Sequence, residues 1–380
     1  MSSTRNDFTP ASALLAVSFE LAQAAWKVSL HDGRRLNPAV YTVKGEQAME
    51  RLGNAVELIQ MIIKKWAVPK DARIVISYEA GQDGFWIQRE LTRLGYESVV
   101  IDPASIPVER KARRAKTDRL DAIRLVSSLL GWMRGEHYRM HVNQVPSRQA
   151  EAERHVARER GLLQKEIHQH RDRISKLLRM EGCWDGYVPD MAHRLEAGLV
   201  RCHDGSALPE QLVARLKKEC LRLALVEQQF KELEKSMVAD LPAASQVKIM
   251  ALQRLKGIGE IGAVRLVLEL FWRNFNNRRQ VGACVGLCPQ PFDSGESRSD
   301  QGISKAGNRR VRALLIEMAW FWLRYQPDSA LARWFAQRTQ GGGKRGRRVA
   351  IVAVARRLAI DLWRYVKDGV VPPGAALKVQ

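Results

Sequence analysis

The sequence predicts an α/β layer followed by a mainly helical remainder, and three observations lead there. Before about residue 146, short β-prone apolar runs bounded by turn residues alternate with amphipathic helical stretches. That order builds a sheet with helices on its faces, not a bundle. Between Gln149 and Met237, two long segments dense in Arg, Glu and Lys carry apolar residues at steps of three, four and seven. After about residue 246, further apolar helical patterns are broken by Gly-rich and Ser-rich segments. The chain has 380 residues and is 46% hydrophobic, enough for a sizeable core shared among two or three domains. The changes of character place these at 1–145, 146–245 and 246–380.

Residues 1–12 are polar and read as loose. Leu14–Leu21 reads as a strand and Trp26–Leu30 as its hairpin or meander partner, with Asp32-Gly33 as the next turn. Met49, Leu52, Val56, Ile59 and Ile63 give Gly45–Trp66 one apolar helical face, and Pro69–Asp71 breaks it. Arg73–Tyr78 is strongly β-prone and reads as a buried strand, with Glu79 at its C-terminal end. Phe85–Leu94 reads as a short helix and Ser98–Ile101 as another strand. Pro103 and Pro107 then lead into Arg113–Asp121 and a helix over Arg119–Trp132.

In the next region, Val156, Leu163, Ile167, Ile174 and Leu178 face Leu212, Leu216, Leu223, Val226, Phe230 and Leu233. Two helices, Gln149–Met180 and Pro209–Met237, would pair as a coiled-coil hairpin with Trp184–Leu208 as an irregular tip. Two helices packed in a larger bundle are the alternative. Leu255-Lys256-Gly257-Ile258-Gly259 lies between two apolar helical patterns and resembles a helix–hairpin–helix turn. Such a turn offers backbone N–H groups to a DNA phosphate, although it can also serve packing alone. Gln290–Asn308 reads as a long polar loop, a kind that is more often functional than idle. Arg309–Tyr325 and Val349–Val366 read as helices. Gln340–Arg348 reads as a flexible basic linker, free for nucleic acid or merely solvated.

The formal net charge is +21, from 62 Lys+Arg against 41 Asp+Glu. Such an excess argues for an anionic partner, most simply nucleic acid; a ribosome- or membrane-surface protein shares the trait. No apolar run reaches the roughly 18–20 residues that span a bilayer, and no stretch has the pattern of a signal peptide. Five scattered cysteines lack a zinc pattern. A cytoplasmic protein with reduced thiols is expected, joining the nucleoid when bound to DNA.

Asp118 and Asp121 stand three residues apart, so a helix places both on one face. Arg113, Arg114, Lys116 and Arg119 crowd the same segment. Carboxylates in basic surroundings suit a metal-dependent enzyme acting on a phosphate backbone; a solvated helix start is the alternative. Glu20 and Glu79 end two predicted strands and could join them. Four such acids repel one another unless cations bind, and two Mg²⁺ ions about 3.5–4 Å apart would relieve this.

Taken together, Glu20, Glu79-Ala80-Gly81, Lys116-Thr117-Asp118-Arg119-Leu120-Asp121, Leu255–Gly259, Val285–Pro289, Asp293-Ser294-Gly295 and Gly302–Asn308 resemble the DEDD transposases of the insertion-sequence one-ten family, its eleven-eleven subgroup included. The resemblance spans about residues 13–367. It implies a ribonuclease-H-like (resolvase-like) N-terminal domain, a coiled-coil hairpin and a mainly helical C-terminal transposase domain. It also implies a Mg²⁺-dependent, bridge-RNA-guided recombinase that joins donor and target DNA. The active site would be composite: the acids of one subunit with a serine of another, so a dimer or tetramer. Glu20, Glu79, Asp118 and Asp121 match the metal-binding tetrad, whose first member is usually Asp. Ser294, just before a glycine, matches the serine; Ser297, Ser299 and Ser304 are the other candidates. Glu296 stands where glycine is common. Arg298 and Lys305 are placed to neutralise charge there, while Lys256, Gly257, Gly259, Arg309 and Arg310 are candidate nucleic-acid contacts with the basic run before Asp121. Two other readings stay open: a hydrolytic Holliday-junction-type nuclease using the acids alone, and a non-catalytic nucleic-acid-binding scaffold.

Overall fold

The computed structural model describes residues 13–106, 117–184, 186–294 and 297–378, with 297–300 described by backbone alone. It divides into two compact units, 1–145 and 146–380.

The first unit contains β1 (Leu14–Glu20), β2 (Trp26–His31), β3 (Ala39–Val43), α1 (Ala48–Lys65), β4 (Arg73–Glu79), α2 (Trp86–Arg93), β5 (Glu97–Ile101), α3 (Asp118–Met133) and β6 (Val142–Asn143). The strands form one sheet in the order β3-β2-β1-β4-β5-β6. β1, β2 and β3 make an antiparallel meander. β4 pairs with the other side of β1 in parallel, β5 with β4 in parallel, and β6 closes the edge antiparallel. This is the mixed α/β layer the sequence predicts, with two edge strands, β3 and β6, that it did not. β3 is mostly half-exposed and β6 spans two residues, so neither carries a long apolar run.

Side chains alternate across a sheet, and β1 and β4 are buried on both faces. Leu15, Val17 and Phe19 of β1 pack with Ile76 and Tyr78 of β4 against α1 and α2. On the opposite face, Ala16 and Val75 pack against Leu125, Val126 and Leu129 of α3. That two-sided burial is why both strands read as near-continuous apolar runs.

The second unit contains α4 (Arg148–Met180), α5 (Met191–Glu196), α6 (Glu210–Ser236), α7 (Ala243–Gln253), α8 (Glu260–Glu269), α9 (Arg278–Cys284), β7 (Pro289–Ser294), β8 (Ser297–Ile303), α10 (Arg309–Tyr325), α11 (Ala330–Thr339) and α12 (Lys344–Asp368). α4 and α6 pack antiparallel along Leu163, Ile167, Ile174, Leu216, Leu223 and Val226. The tip is less irregular than expected: α5 inserts Met191 and Leu195 into that seam. The base of α4, at Ala157, belongs to the core of the C-terminal helices. Two further expectations are corrected. Most of the described residues of the expected polar loop Gln290–Asn308 pair as a two-stranded ribbon, Pro289–Ser294 with Ser297–Ile303. The basic linker is half helix, because α12 begins at Lys344, just after its extended N-cap Gly343. Lys and Arg are good helix formers, so the run continues into the apolar stripe. All five cysteines are free. Among the described residues no helix is long and apolar enough to cross a membrane.

One charge lies inside the hairpin. Glu219 of α6 is buried. It accepts from His170 Nδ1 at 2.7 Å, Arg173 Nη1 at 2.9 Å and Arg222 Nη1 at 2.8 Å, His170 being taken as the donor. Burial pushes its pKa up, but the hydrogen bonds from His170 and Arg173 outweigh this and hold it below the usual glutamate range. A carboxyl with a depressed folded pKa stabilises above its unfolded pKa, and the contribution is lost as pH falls through the folded value. Urea unfolding midpoints should therefore drop on acidification below the glutamate range. Glu219→Gln should flatten that part of the profile; an unchanged acid slope would reject the assignment.

Candidate functional site

The two strand-end acids sit side by side. Phe19 pairs with Tyr78 across β1 and β4, so Glu20 and Glu79 follow as the next neighbours. By alternation, Ala16, Ser18 and Glu20 share a face with Val75, Ser77 and Glu79, which is the face covered by α3. Across the other edge of β1, Glu20 is in register with Lys27, whose ammonium donates to Thr42 Oγ1 at 2.7 Å.

α3 brings the other two acids to that edge. Its C-terminal end lies by the β2–β3 turn, where Arg134 Nη2 donates to the Gly33 carbonyl at 2.9 Å. Its N-terminal turn therefore lies at the opposite end of the sheet, where β1 and β4 finish. Thr117 caps the helix, its Oγ1 accepting from the Leu120 N–H at 3.3 Å. Asp118 and Asp121 occupy the first turn, where the helix dipole favours negative charge. Asp118 is exposed; Asp121 is half-buried and pairs with Arg124 Nη1 at 3.1 Å.

A layer of serines lies beneath the acids. Ser18, Ser29 and Ser77 are all fully buried. Ser18 and Ser77 are hydrogen-bonded to each other at 2.7 Å. Ser29 Oγ donates to the carbonyl of Ala122, the residue after Asp121, at 2.7 Å. Sequence reasoning missed this layer, although it leaves a mark: Ser18-Phe19-Glu20 and Ser77-Tyr78-Glu79 repeat one pattern at the ends of two strands.

The four acids offer only hard oxygen donors, the kind Mg²⁺ takes, and all four lie toward the end of the sheet where β1 and β4 finish. Among the described residues, no three such donors are grouped closely enough to hold a metal ion. Arg113, Arg114 and Lys116 lie outside the described residues; Arg119 is exposed on the first turn of α3.

Ser294 lies in the second unit, at the end of β7, and is exposed. Ser297 pairs with it across the ribbon, and Arg298 stands opposite Asp293. Gly295 and Glu296 fall outside the described residues, and for Ser297, Arg298 and Ser299 only the backbone is described. The base of the ribbon is clamped. The N–H groups of Ser304, Lys305 and Asn308 donate to the carbonyls of Cys288, Gly286 and Cys284 at 2.8, 3.1 and 2.9 Å. Gly286 and Gly307 both have positive φ. A Cβ on Gly286 would stand 1.8 Å from the Ala306 carbonyl oxygen, and one on Gly307 2.2 Å from that of Cys284. The Val285–Pro289 and Gly302–Asn308 segments are thus two halves of one lock. Asn308 completes it: Oδ1 caps α10 at Arg310 and Val311, and Nδ2 donates to Glu269 at 3.0 Å. Lys305, Arg309 and Arg310 are all exposed around this point.

The glycine turn between α7 and α8 is also held. Gly257 has φ +84 and fits under Tyr325, and Gly259 is the N-cap of α8. The Lys256 N–H donates to the Ala376 carbonyl, Gln326 Nε2 donates to the Lys256 carbonyl at 2.9 Å, and Lys378 Nζ donates to the Ile258 carbonyl at 3.0 Å. One turn N–H that could meet a phosphate is therefore taken by a strap formed by residues 376–378. The Lys256 side chain remains exposed.

Comparison with known proteins bears on the whole chain. A family model described as "Transposase IS116/IS110/IS902 family" matches residues 250–334, from α7 into α11 and including the Ser294 ribbon and its lock. The chain is 41% identical over 380 residues to a putative transposase, y4rJ, of Sinorhizobium fredii, covering 95% of this chain and 94% of that protein. It is 28% identical over 330 residues to a second putative transposase of that organism, y4qE, covering 80% and 78%. It is also 30% identical over 169 residues to the transposase for insertion sequence element IS1328 of Yersinia enterocolitica, covering 43% and 48%.

Two variants test these locks. Ser29→Ala removes the second hydrogen bond to the Ala122 carbonyl, which keeps its partner within α3, and should lower stability by about 0.5–1.5 kcal/mol in urea unfolding; an unchanged midpoint would count against the pin. Gly307→Ala should cost about 2–4 kcal/mol and strip amide-exchange protection from Ser304, Lys305 and Asn308. Retained protection there would overturn the lock.

Proposed function

The chain belongs to the IS116/IS110/IS902 family of transposases, and on that premise we propose that it is a bridge-RNA-guided DNA recombinase working through Mg²⁺ and a covalent serine–DNA intermediate. The observation that carries the catalytic reading is that Glu20 and Glu79, at adjacent strand ends, lie at the end of the sheet to which α3 brings its acid-bearing first turn. The sheet order, an antiparallel meander β3-β2-β1 continued in parallel by β4 and β5, supports a ribonuclease-H-like assignment for the first unit. The acids and Ser294 belong to separate units, which suits a composite site completed by a second subunit in a dimer or tetramer.

Glu20, Glu79, Asp118 and Asp121 would hold the metal, which when bound polarises a phosphodiester oxygen. The Glu20 side chain is one methylene longer than the usual Asp and sets its carboxylate further out. The Ser294 hydroxyl attacks phosphorus: an Oγ–P bond forms, one P–O bond to a deoxyribose breaks, and the released sugar oxygen takes up the serine proton. The phosphoserine bond keeps the energy for religation to the second DNA. A free serine is a weak nucleophile; Arg298, in register opposite Asp293, is the ribbon's candidate for positive charge near it, whereas Lys305 lies at the base of the ribbon, away from Ser294. Arg113, Arg114, Lys116 and Arg119, with Lys256, Arg309 and Arg310, hold the RNA and DNA backbones.

A suicide DNA substrate run on denaturing gels tests this. Wild type should give a Mg²⁺-dependent protein–DNA adduct. Ser294→Ala should abolish it, and Asp121→Asn should lower recombination at least about 10³-fold. Free cleaved ends without an adduct would replace the serine route by hydrolysis, and binding without any Mg²⁺-dependent product would leave a scaffold.

A further inference from the structure

A cavity of about 400 Å³ opens in the second unit between α4, α8 and α10. Its charged lining is Arg158, Arg160, Lys165, Arg265 and Arg310, with Glu269 alone opposing them. Glu269 is already occupied: one oxygen accepts from Arg158 Nε at 3.0 Å and the other from Asn308 Nδ2 at 3.0 Å. Arg160 is paired outward with Glu234. Lys165, Arg265 and Arg310 form no ion pair among the described residues. Burial disfavours the Arg265 charge and lowers its pKa; Glu317 offsets this, while Arg160 adds to the repulsion. Around this concavity five cations thus face Glu269, with Glu317 near Arg265, so positive charge is in excess.

We propose that this cavity binds a backbone phosphate of a nucleic-acid strand, seating that strand against the lock of the Ser294 ribbon. The geometry connects the two. Arg310 is on the first turn of α10, two residues after Asn308, and Asn308 ties that helix to Glu269 in the cavity wall. Ala157 and Leu314 provide an apolar floor on which a sugar can rest. Guanidinium forks match phosphate oxygens in a bidentate manner. The inference rests on the nucleic-acid reading above and deepens it, because none of these cavity residues except Arg310 was a candidate from the sequence.

The test uses full-length protein with labelled single- and double-stranded RNA and DNA of one sequence, titrated at several salt concentrations. Lys165→Gln with Arg265→Gln should weaken binding about tenfold and lower the salt slope by about one to two, since each phosphate contact contributes about 0.7–0.9. Should the Arg265 variant fail to fold by circular dichroism, Lys165→Gln with Arg310→Gln, both at exposed positions, carries the same expectation. Loss for RNA only assigns the cavity to a guide strand; loss for DNA only assigns it to donor or target. Unchanged affinity and slope for all four probes overturns the proposal. Covalent adduct formation separates it from the function above: an adduct with unaltered binding in the variants sinks the cavity alone. Lost binding in variants of a wild type that never forms an adduct sinks the serine route alone.

Discussion

The carbonyl of Ala122 lies where α3 meets the sheet, and besides its bond within the helix it accepts a second hydrogen bond from the Ser29 hydroxyl. A larger residue would push the helix off the sheet, and an apolar one would remove the pin between the two. Ser18 and Ser77 extend this narrow, hydrogen-bonded floor under the ends of β1 and β4. Because the contact falls one residue beyond Asp121, it determines how far the acid-bearing turn extends past the strand ends. The placing of the acid-bearing turn near the ends of β1 and β4 thus depends on three small hydroxyl side chains below it.

The second unit solves a similar difficulty by other means. A two-stranded ribbon is marginal on its own in water, yet here it presents Ser294. Its order comes from its base, where two left-handed glycines let the backbone after β8 lie directly on the end of α9. Ser294 stays exposed while the backbone at the base of the ribbon is fixed. Preorganised groups of this kind need little rearrangement when a substrate arrives.

Much of the first unit was legible in the sequence because its central strands are buried on both faces and so are continuously apolar. The hairpin of α4 and α6 was legible for the matching reason: its seam repeats at helical spacing. The strands of the ribbon were not, because Pro289–Ser294 and Ser297–Ile303 are polar and their pairing is imposed by the lock, not by propensity. β3 and β6 were missed as edge strands without an apolar face. The start of α12 was missed because Gly341–Gly343 masked the helix formers that follow. The acids were visible as residue types, whereas the serines beneath them needed the pairing register before their repeated spacing had meaning. The basic cavity was invisible, since α4, α8 and α10 each contribute ordinary surface cations.

The strap over the glycine turn also imposes a sequence of events in time. Lys378 follows Ile258 by 120 residues, so at about 5–20 residues per second the turn waits on the order of ten seconds for its last partners during synthesis. Over that interval the carbonyls of Arg254 and Ile258 are without Lys378, while Gln326, the partner of the Lys256 carbonyl, is made earlier. A nascent chain and a finished one therefore differ at this turn, and its final shape is reached after translation has passed every helix of the unit.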